Sequence, residues 1–181
     1  MKITMRQLVN LAFGAAIAVA LGVFLWLTWL AHQADAPNYS EIEDHLFMGG
    51  SVESPPRGTQ AVLNLCELDD PHRCEVYLWE SIPDAAPAPD LDWLRRMVYV
   101  IDEQQAAGCT TYVHCRNGVS RSGFVIVAYE MYKHRWTRDQ ALEFVRTKRP
   151  DIWPNPAFME RLLEWERASR SHEAPSAGKA D

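Results

Sequence analysis

An apolar, β-prone run, Thr110 to His114, passes through one short loop straight into an apolar helix predicted over Arg121 to His134. The loop and its flanks read His114-Cys115-Arg116-Asn117-Gly118-Val119-Ser120-Arg121-Ser122-Gly123. A strand that turns so tightly onto a helix belongs to an α/β layer structure, with the loop at the carboxyl end of the strand, where such sheets place ligands. A loop curled onto a helix N-terminus aims several backbone N–H groups at one point. That point is an anion site, reinforced by the helix dipole. Cys115 falls at its floor, where the same field lowers a thiol pKa and produces a thiolate nucleophile. Arg121 closes the ring and offers the fork geometry that grips two oxygens of a phosphate. Gly118 supplies a positive φ or a close backbone approach.

The rest of the chain supports an alternation of strands and helices. Asn38 to Ser51 reads as a linker entering a strand that ends at Gly49-Gly50. Ala61 to Cys66 is a short apolar strand, and Glu75 to Ile82 is a strand candidate. Pro83 to Pro89 is a Pro-rich loop. Leu91, Leu94, Val98 and Ile101 recur at helical spacing, predicting a helix from Asp90 or Leu91 to about Ala107, with Gly108 ending it. Thr137-Arg138-Asp139-Gln140 is a capping box for a helix to about Lys148. Asn155-Pro156 opens a last helix whose inner face carries Phe158, Leu162 and Trp165. The expected fold class is α/β, a central and largely parallel sheet flanked by helices.

The fuller pattern, His114 and Cys115 followed by Gly118, Arg121 and Ser122 in this spacing, resembles the dual-specificity phosphatase family of the cysteine-dependent protein tyrosine phosphatase superfamily. The resemblance extends over roughly Tyr39 to Glu166. Leu46-Phe47-Met48-Gly49-Gly50 is similar to the family's first strand, and Arg149-Pro150 with Pro154-Asn155 and Phe158 to its closing helices. It implies the phosphatase fold and a phosphocysteine intermediate on Cys115, with Arg121 stabilising the equatorial charge of the transition state. The phosphate-binding loop is then Cys115, Arg116, Asn117, Gly118, Val119, Ser120 and Arg121. Ser122 hydrogen-bonds the thiolate, caps the helix, or does both. His114 either organises the loop, as in the family, or is a satisfied core histidine. The family supplies a general acid from a loop some thirty residues before the cysteine, and Asp84 fits; Asp90 and Asp92 compete but suit a helix N-terminus. Cys66 stands where some members carry a second cysteine that protects the nucleophile by a reversible disulfide; a buried core cysteine is the alternative. This chemistry requires no metal and no cofactor.

The chain has 181 residues and a formal net charge of −6, which makes nucleic acid a poor partner. Leu8 to Leu30 is almost wholly apolar, and no charge falls between Gln7 and Gln33. At ~1.5 Å per residue this run matches a bilayer core of about 30 Å, so one N-terminal transmembrane helix is expected. Trp26 and Trp29 suit an interfacial belt. A cleaved signal peptide ending near Ala34-Asp35-Ala36 is the alternative. Lys2 and Arg6 precede the span, which puts the N-terminus in the cytoplasm and the catalytic part across the membrane, as a single-pass protein. The expected organisation is a basic flank at 1–7, the anchor at 8–31, a linker at 32–44, the catalytic domain at 45–168 and a disordered tail at 169–181. The four cysteines, Cys66, Cys74, Cys109 and Cys115, are not expected to form a disulfide framework, since the nucleophile must stay a free thiolate.

The leading function is therefore a membrane-anchored phosphomonoesterase acting on phosphotyrosine, phosphoserine or phosphothreonine in proteins. A phospholipid or phosphoinositide substrate is the rival, because the anchor holds the site near lipid and Arg116 adds positive charge to the loop. A sulfurtransferase or arsenate reductase also places a cysteine in an anion loop, but Arg121, Ser122 and Asp84 together argue for phosphate ester hydrolysis. A non-catalytic phosphate-binding module is the reading from another class.

Overall fold

The computed structural model describes residues 4–34, 37–71 and 73–171. The chain forms two compact units, 1–37 and 38–181. The first is a single helix, α1 (Met5–Ala34). Its described side chains, Phe13, Ile17, Leu21, Phe24 and Trp26 among them, are exposed. The expected transmembrane helix is not supplied by the structure: no helix among the described residues is long and apolar enough to cross a membrane. A possible cleavage point at Ala34-Asp35-Ala36 falls largely on residues outside those described.

The second unit contains five strands: β1 (Tyr39–Glu43), β2 (Leu46–Gly49), β3 (Ala61–Asn64), β4 (Val76–Trp79) and β5 (Thr111–His114). They form one mixed sheet in the order β1-β2-β5-β3-β4. β2, β5, β3 and β4 run parallel, while β1 is an antiparallel edge. The largely parallel sheet read from the sequence is thus present, with β1 as the unexpected strand: 38–44 reads as a linker but folds back on β2. Its tight turn uses His45 at φ +62. β5 is buried along its whole length between β2 and β3, which is why TTYVH carries no alternation.

The helices follow the local signals closely. α2 (Leu91–Ala106) starts at Asp90, whose side chain accepts from Trp93 N at 2.7 Å, and Gly108 beyond it adopts φ +73. α3 (Arg121–His134) is buried from Arg121 through Met131 and forms the centre of the core. α4 (Arg138–Lys148) opens on the complete capping box of Thr137 and Gln140. α5 (Pro156–Ser171) is capped by Asn155, whose Oδ1 accepts from Phe158 N at 3.0 Å. Phe158 stacks on Phe124 of α3 with ring centroids 4.5 Å apart. Complete burial of such side chains stabilises by about 1.5–3 kcal/mol each, so α3 is fixed firmly behind the loop that precedes it. α5 continues to Ser171, so it takes up the first residues of the tail expected at 169–181; residues 172–181 lie outside those described.

Candidate active site

The loop between β5 and α3 is built from backbone outwards. Cys115 N donates to Gly49 O at 3.2 Å, and Ser51 N to Arg116 O at 3.0 Å, so the end of β2 carries the first half of the loop. An isolated antiparallel bridge joins Gly50 to Asn117. Gly118 then turns with φ +69 so close to β2 that a Cβ there would lie 2.3 Å from Gly49 C. Glycine is required on both counts. From the other side Arg149 Nε donates to Gly118 O at 2.7 Å, and its Nη2 to Asn117 O at 3.3 Å and to Asn38 Oδ1 at 2.6 Å. Two loop carbonyls are thereby turned outward, which leaves the loop N–H groups facing inward.

Cys115 lies at the floor, 2% exposed. Burial alone would raise its pKa. Hydrogen bonds from the Ser122 hydroxyl and from the N–H groups of Ser122, Gly118 and Val119 outweigh it, and the net pKa lies below the ordinary thiol value. Ser122 Oγ lies 3.4 Å from Cys115 Sγ and 3.3 Å from Gly49 O, two acceptors that share its one O–H. The alternative reading of Ser122 as the helix cap is not followed: the N-cap position is Ser120, and it makes no side-chain capping bond. Arg121 is 4% exposed. Its Nη1 donates to Leu65 O and Ile82 O, both at 3.3 Å, and pairs with Glu67 Oε1 at 3.0 Å. Its Nε is buried with no hydrogen-bond partner among the described residues, so that N–H is available to a bound anion.

Asp84, which the resemblance placed in the Pro-rich loop about thirty residues before the cysteine, borders the same cavity of about 410 Å³ as Cys115, Arg121, Trp153 and Asn155. Its Oδ1 accepts from Ser120 Oγ at 2.6 Å and from Asn155 Nδ2 at 2.9 Å. The competitors are elsewhere: Asp90 caps α2 and Asp92 pairs with Arg95 at 2.5 Å. A larger cleft of about 590 Å³ lies between Arg95, Tyr99, Tyr132 and Trp165, with no cysteine in its lining.

His114 is a buried core residue with polar partners. Its Nε2 is 2.8 Å from Asp70 Oδ2 and its Nδ1 3.7 Å from Cys66 Sγ, while its ring stacks on Tyr112. Cys66 also meets Ser51 Oγ at 3.2 Å, and burial pushes its thiol pKa up, so it is a neutral S–H there. All four cysteines are free thiols. Arg116 is exposed and pairs with Glu67 at 3.6 Å.

Sequence reasoning missed Glu67, Asp70, Arg149 in its role as loop clamp, and Asn155 as a partner of Asp84. Only Arg149 and Asn155 carried a signal, as outer parts of the family pattern. Glu67 and Asp70 act across the sheet and have no local signature.

Residues 60–168 match the family model described as dual specificity phosphatase, catalytic domain. The chain belongs to that family. It is 33% identical over 134 residues to mouse dual specificity protein phosphatase 1, a match covering 70% of this chain and 36% of that protein. The chain thus spans about a third of the length of such relatives. Among solved structures, Tk-PTP in the active form is 29% identical with a TM-score of 0.64, covering 72% of this chain and 97% of that one. Human DUSP28 is 25% identical with a TM-score of 0.67, covering 74% and 99%.

Proposed function

We propose that the chain hydrolyses phosphomonoesters of protein side chains, with Cys115 as nucleophile and Asp84 as acid and then base. The observation that carries this reading is the convergence of Cys115, Arg121 and Asp84 on one cavity. The Cys115 thiolate attacks phosphorus in line, and the bond from phosphorus to the ester oxygen breaks. Asp84 gives that oxygen its proton. Arg121, through its free Nε–H, and the loop N–H groups take the equatorial oxygens. Water then attacks phosphocysteine, Asp84 takes its proton, and the S–P bond breaks to release phosphate. Ser122 Oγ stabilises the departing thiolate. Glu67 holds Arg121 between turnovers and yields to the incoming dianion.

Protein is favoured over phosphoinositide as substrate by two features. Arg116, the extra cation of the loop, is already paired with Glu67. Trp153, 69% exposed at the cavity rim and anchored by its backbone N–H to Val119 O at 2.9 Å, places an indole beside the position of an aromatic leaving group. The test compares kcat/KM for phosphotyrosyl and phosphothreonyl peptides with phosphoinositide vesicles. The reading expects the tyrosyl peptide to lead by about tenfold or more. A preference for vesicles would transfer the assignment to lipid, and tight phosphate binding without turnover would make the chain a binding module.

Attachment to a membrane by α1, with the N-terminus cytoplasmic and the catalytic unit on the far side, completes the proposal. It rests on the uncharged run from Gln7 to Gln33 and on Lys2 and Arg6 before it. A reporter joined to the C-terminus reads the orientation; a cytoplasmic signal contradicts it.

A further inference from the structure

A second cluster of ionisable groups lies away from the phosphate loop, at the opposite end of α3. Glu130 and His134 stand one helical turn apart on α3, the i, i+4 spacing that puts two side chains on one face. Glu43, from the last position of β1, meets them there. One ligand atom from each of the three residues lies within 4.8 Å of the others. His134 Nε2 is 2.6 Å from Glu43 Oε1 and 3.3 Å from Glu130 Oε2.

Acidic clusters are common, and this one needs a reason to be more than an ion pair. Glu130 provides it. Its side chain is fully buried, and neither carboxylate oxygen has a hydrogen-bond partner among the described residues. Its one polar neighbour from α3, the His134 ring nitrogen, is stretched between two carboxylates and carries at most one proton. A buried carboxylate left in this state is costly. Burial first, and the Glu43 charge second, push its pKa up to about 8. Lys133 relieves it only in part, through its charge and without a hydrogen bond, because Lys133 Nζ pairs with the other Glu43 oxygen, Oε2. That leaves Glu43 Oε1, Glu130 Oε2 and His134 Nε2 facing one another around a common point. Trp136 stacks on the His134 ring at 4.3 Å and holds its plane.

We propose that Glu43, Glu130 and His134 form a divalent transition-metal site, taking zinc through one imidazole nitrogen and two carboxylate oxygens with water in the fourth position. Two carboxylates and one histidine make a donor set suited to zinc, with ligand bonds of about 2.0–2.2 Å. Tetrahedral bonds of that length separate ligand atoms by roughly 3.4 Å, close to the 3.3 Å between His134 and Glu130, while the His134–Glu43 pair at 2.6 Å opens to admit the ion. The ion takes the place of the protons held between the three side chains, one on His134 Nε2 and one on the Glu130 carboxyl, and both are released to water. Lys133 stays on Glu43 Oε2. Glu43 is 15% exposed and His134 31%, so water reaches the open position. Joining β1 to α3 in this way fixes the end of the helix whose N-terminus forms the phosphate loop. Its effect is on stability, since α3 from Arg121 to Glu130 puts the site about 14 Å along the helix from the loop.

The test is a thermal melt of the full chain carrying Cys115→Ser, which removes the reactive thiolate as a competing ligand. Zinc is added at about a hundred times its dissociation constant and compared with chelator. The site predicts a rise in Tm of about 5 °C or more and one bound zinc by equilibrium dialysis. Glu130→Gln and the more exposed His134→Asn should each abolish both. In chains with Cys115 restored, these two substitutions leave aryl phosphate turnover in chelator unchanged, which separates failure here from failure of the phosphatase reading. No rise with zinc, or a rise that survives both substitutions, overturns the site. If Glu130→Gln does not fold, His134→Asn decides alone.

Discussion

Replacing Gly118 by alanine tests how strictly the loop geometry is imposed. The φ of +69 costs a non-glycine residue roughly 1–2 kcal/mol. The added Cβ would lie 2.3 Å from Gly49 C, 2.5 Å from Gly50 N and 2.6 Å from Arg149 Nη2. The first two are backbone atoms of the β2 end and cannot step aside alone. Relief requires opening the Gly50–Asn117 bridge or the Ser51 N to Arg116 O bond, each about 0.5–1.5 kcal/mol. The working loop therefore loses about 3 kcal/mol against a displaced one. At 1.4 kcal/mol per decade, fewer than about one molecule in a hundred then holds the loop in place. We expect kcat/KM on an aryl phosphate to fall by about 100-fold or more. Denaturant stability should fall by less than the full 3 kcal/mol, because the loop relaxes while α3 stays packed. Activity within twofold of wild type, at unchanged stability, would refute the argument that the close approach to β2 shapes the loop.

Four further outcomes follow from the same geometry. Ser122→Ala removes a hydrogen bond that lowers the Cys115 pKa, so the pH midpoint of iodoacetamide alkylation should move upward; an unmoved midpoint would assign the lowering to the backbone alone. Asp84→Asn should reduce kcat by about 100-fold or more on an alkyl phosphate and much less on a nitrophenyl ester, whose leaving group needs no proton; equal losses would remove Asp84 as acid. Arg149→Met withdraws the clamp on Gly118 O and Asn117 O and should lower kcat/KM by about tenfold with little change in Tm, read by parallel kinetics and melting. Glu130 has its pKa raised to about 8, so in chelator the native state binds a proton that the unfolded chain has lost between about pH 5 and 8. Stability should then fall as pH rises through that window, by up to about 1.4 kcal/mol per unit, and Glu130→Gln should flatten the slope, with Glu43, Lys133 and His134 left facing the site.

Local chemistry made α2 through α5 legible. Asp90, Thr137-Gln140 and Asn155-Pro156 are capping signals complete within four residues, and the structure places helix starts beside each. Cys115, Arg121 and Gly118 were legible because one loop holds them in sequence. β1 was not, since Tyr39 to Glu43 is short and polar at an edge, and it is a strand only because Leu46 to Gly49 pairs with it. The supporting residues were hidden for a related reason. Asp70 reaches His114 across 44 positions and Glu67 reaches Arg121 across the β3 end, and neither contact leaves a periodic trace. The Glu43 cluster joins a sheet edge to a helix terminus, a neighbourhood that exists only after folding.

The central claim is a phosphoryl group carried on Cys115. The most direct measurement is rapid-quench mass spectrometry of the full chain with an aryl phosphate in chelator, using Asp84→Asn to slow hydrolysis of the intermediate. The account predicts one phosphoryl group on the peptide containing Cys115, none in Cys115→Ser, and release of phosphate by the wild-type chain despite the chelator. Turnover without any phosphorylated Cys115, or turnover that persists in Cys115→Ser, would contradict it.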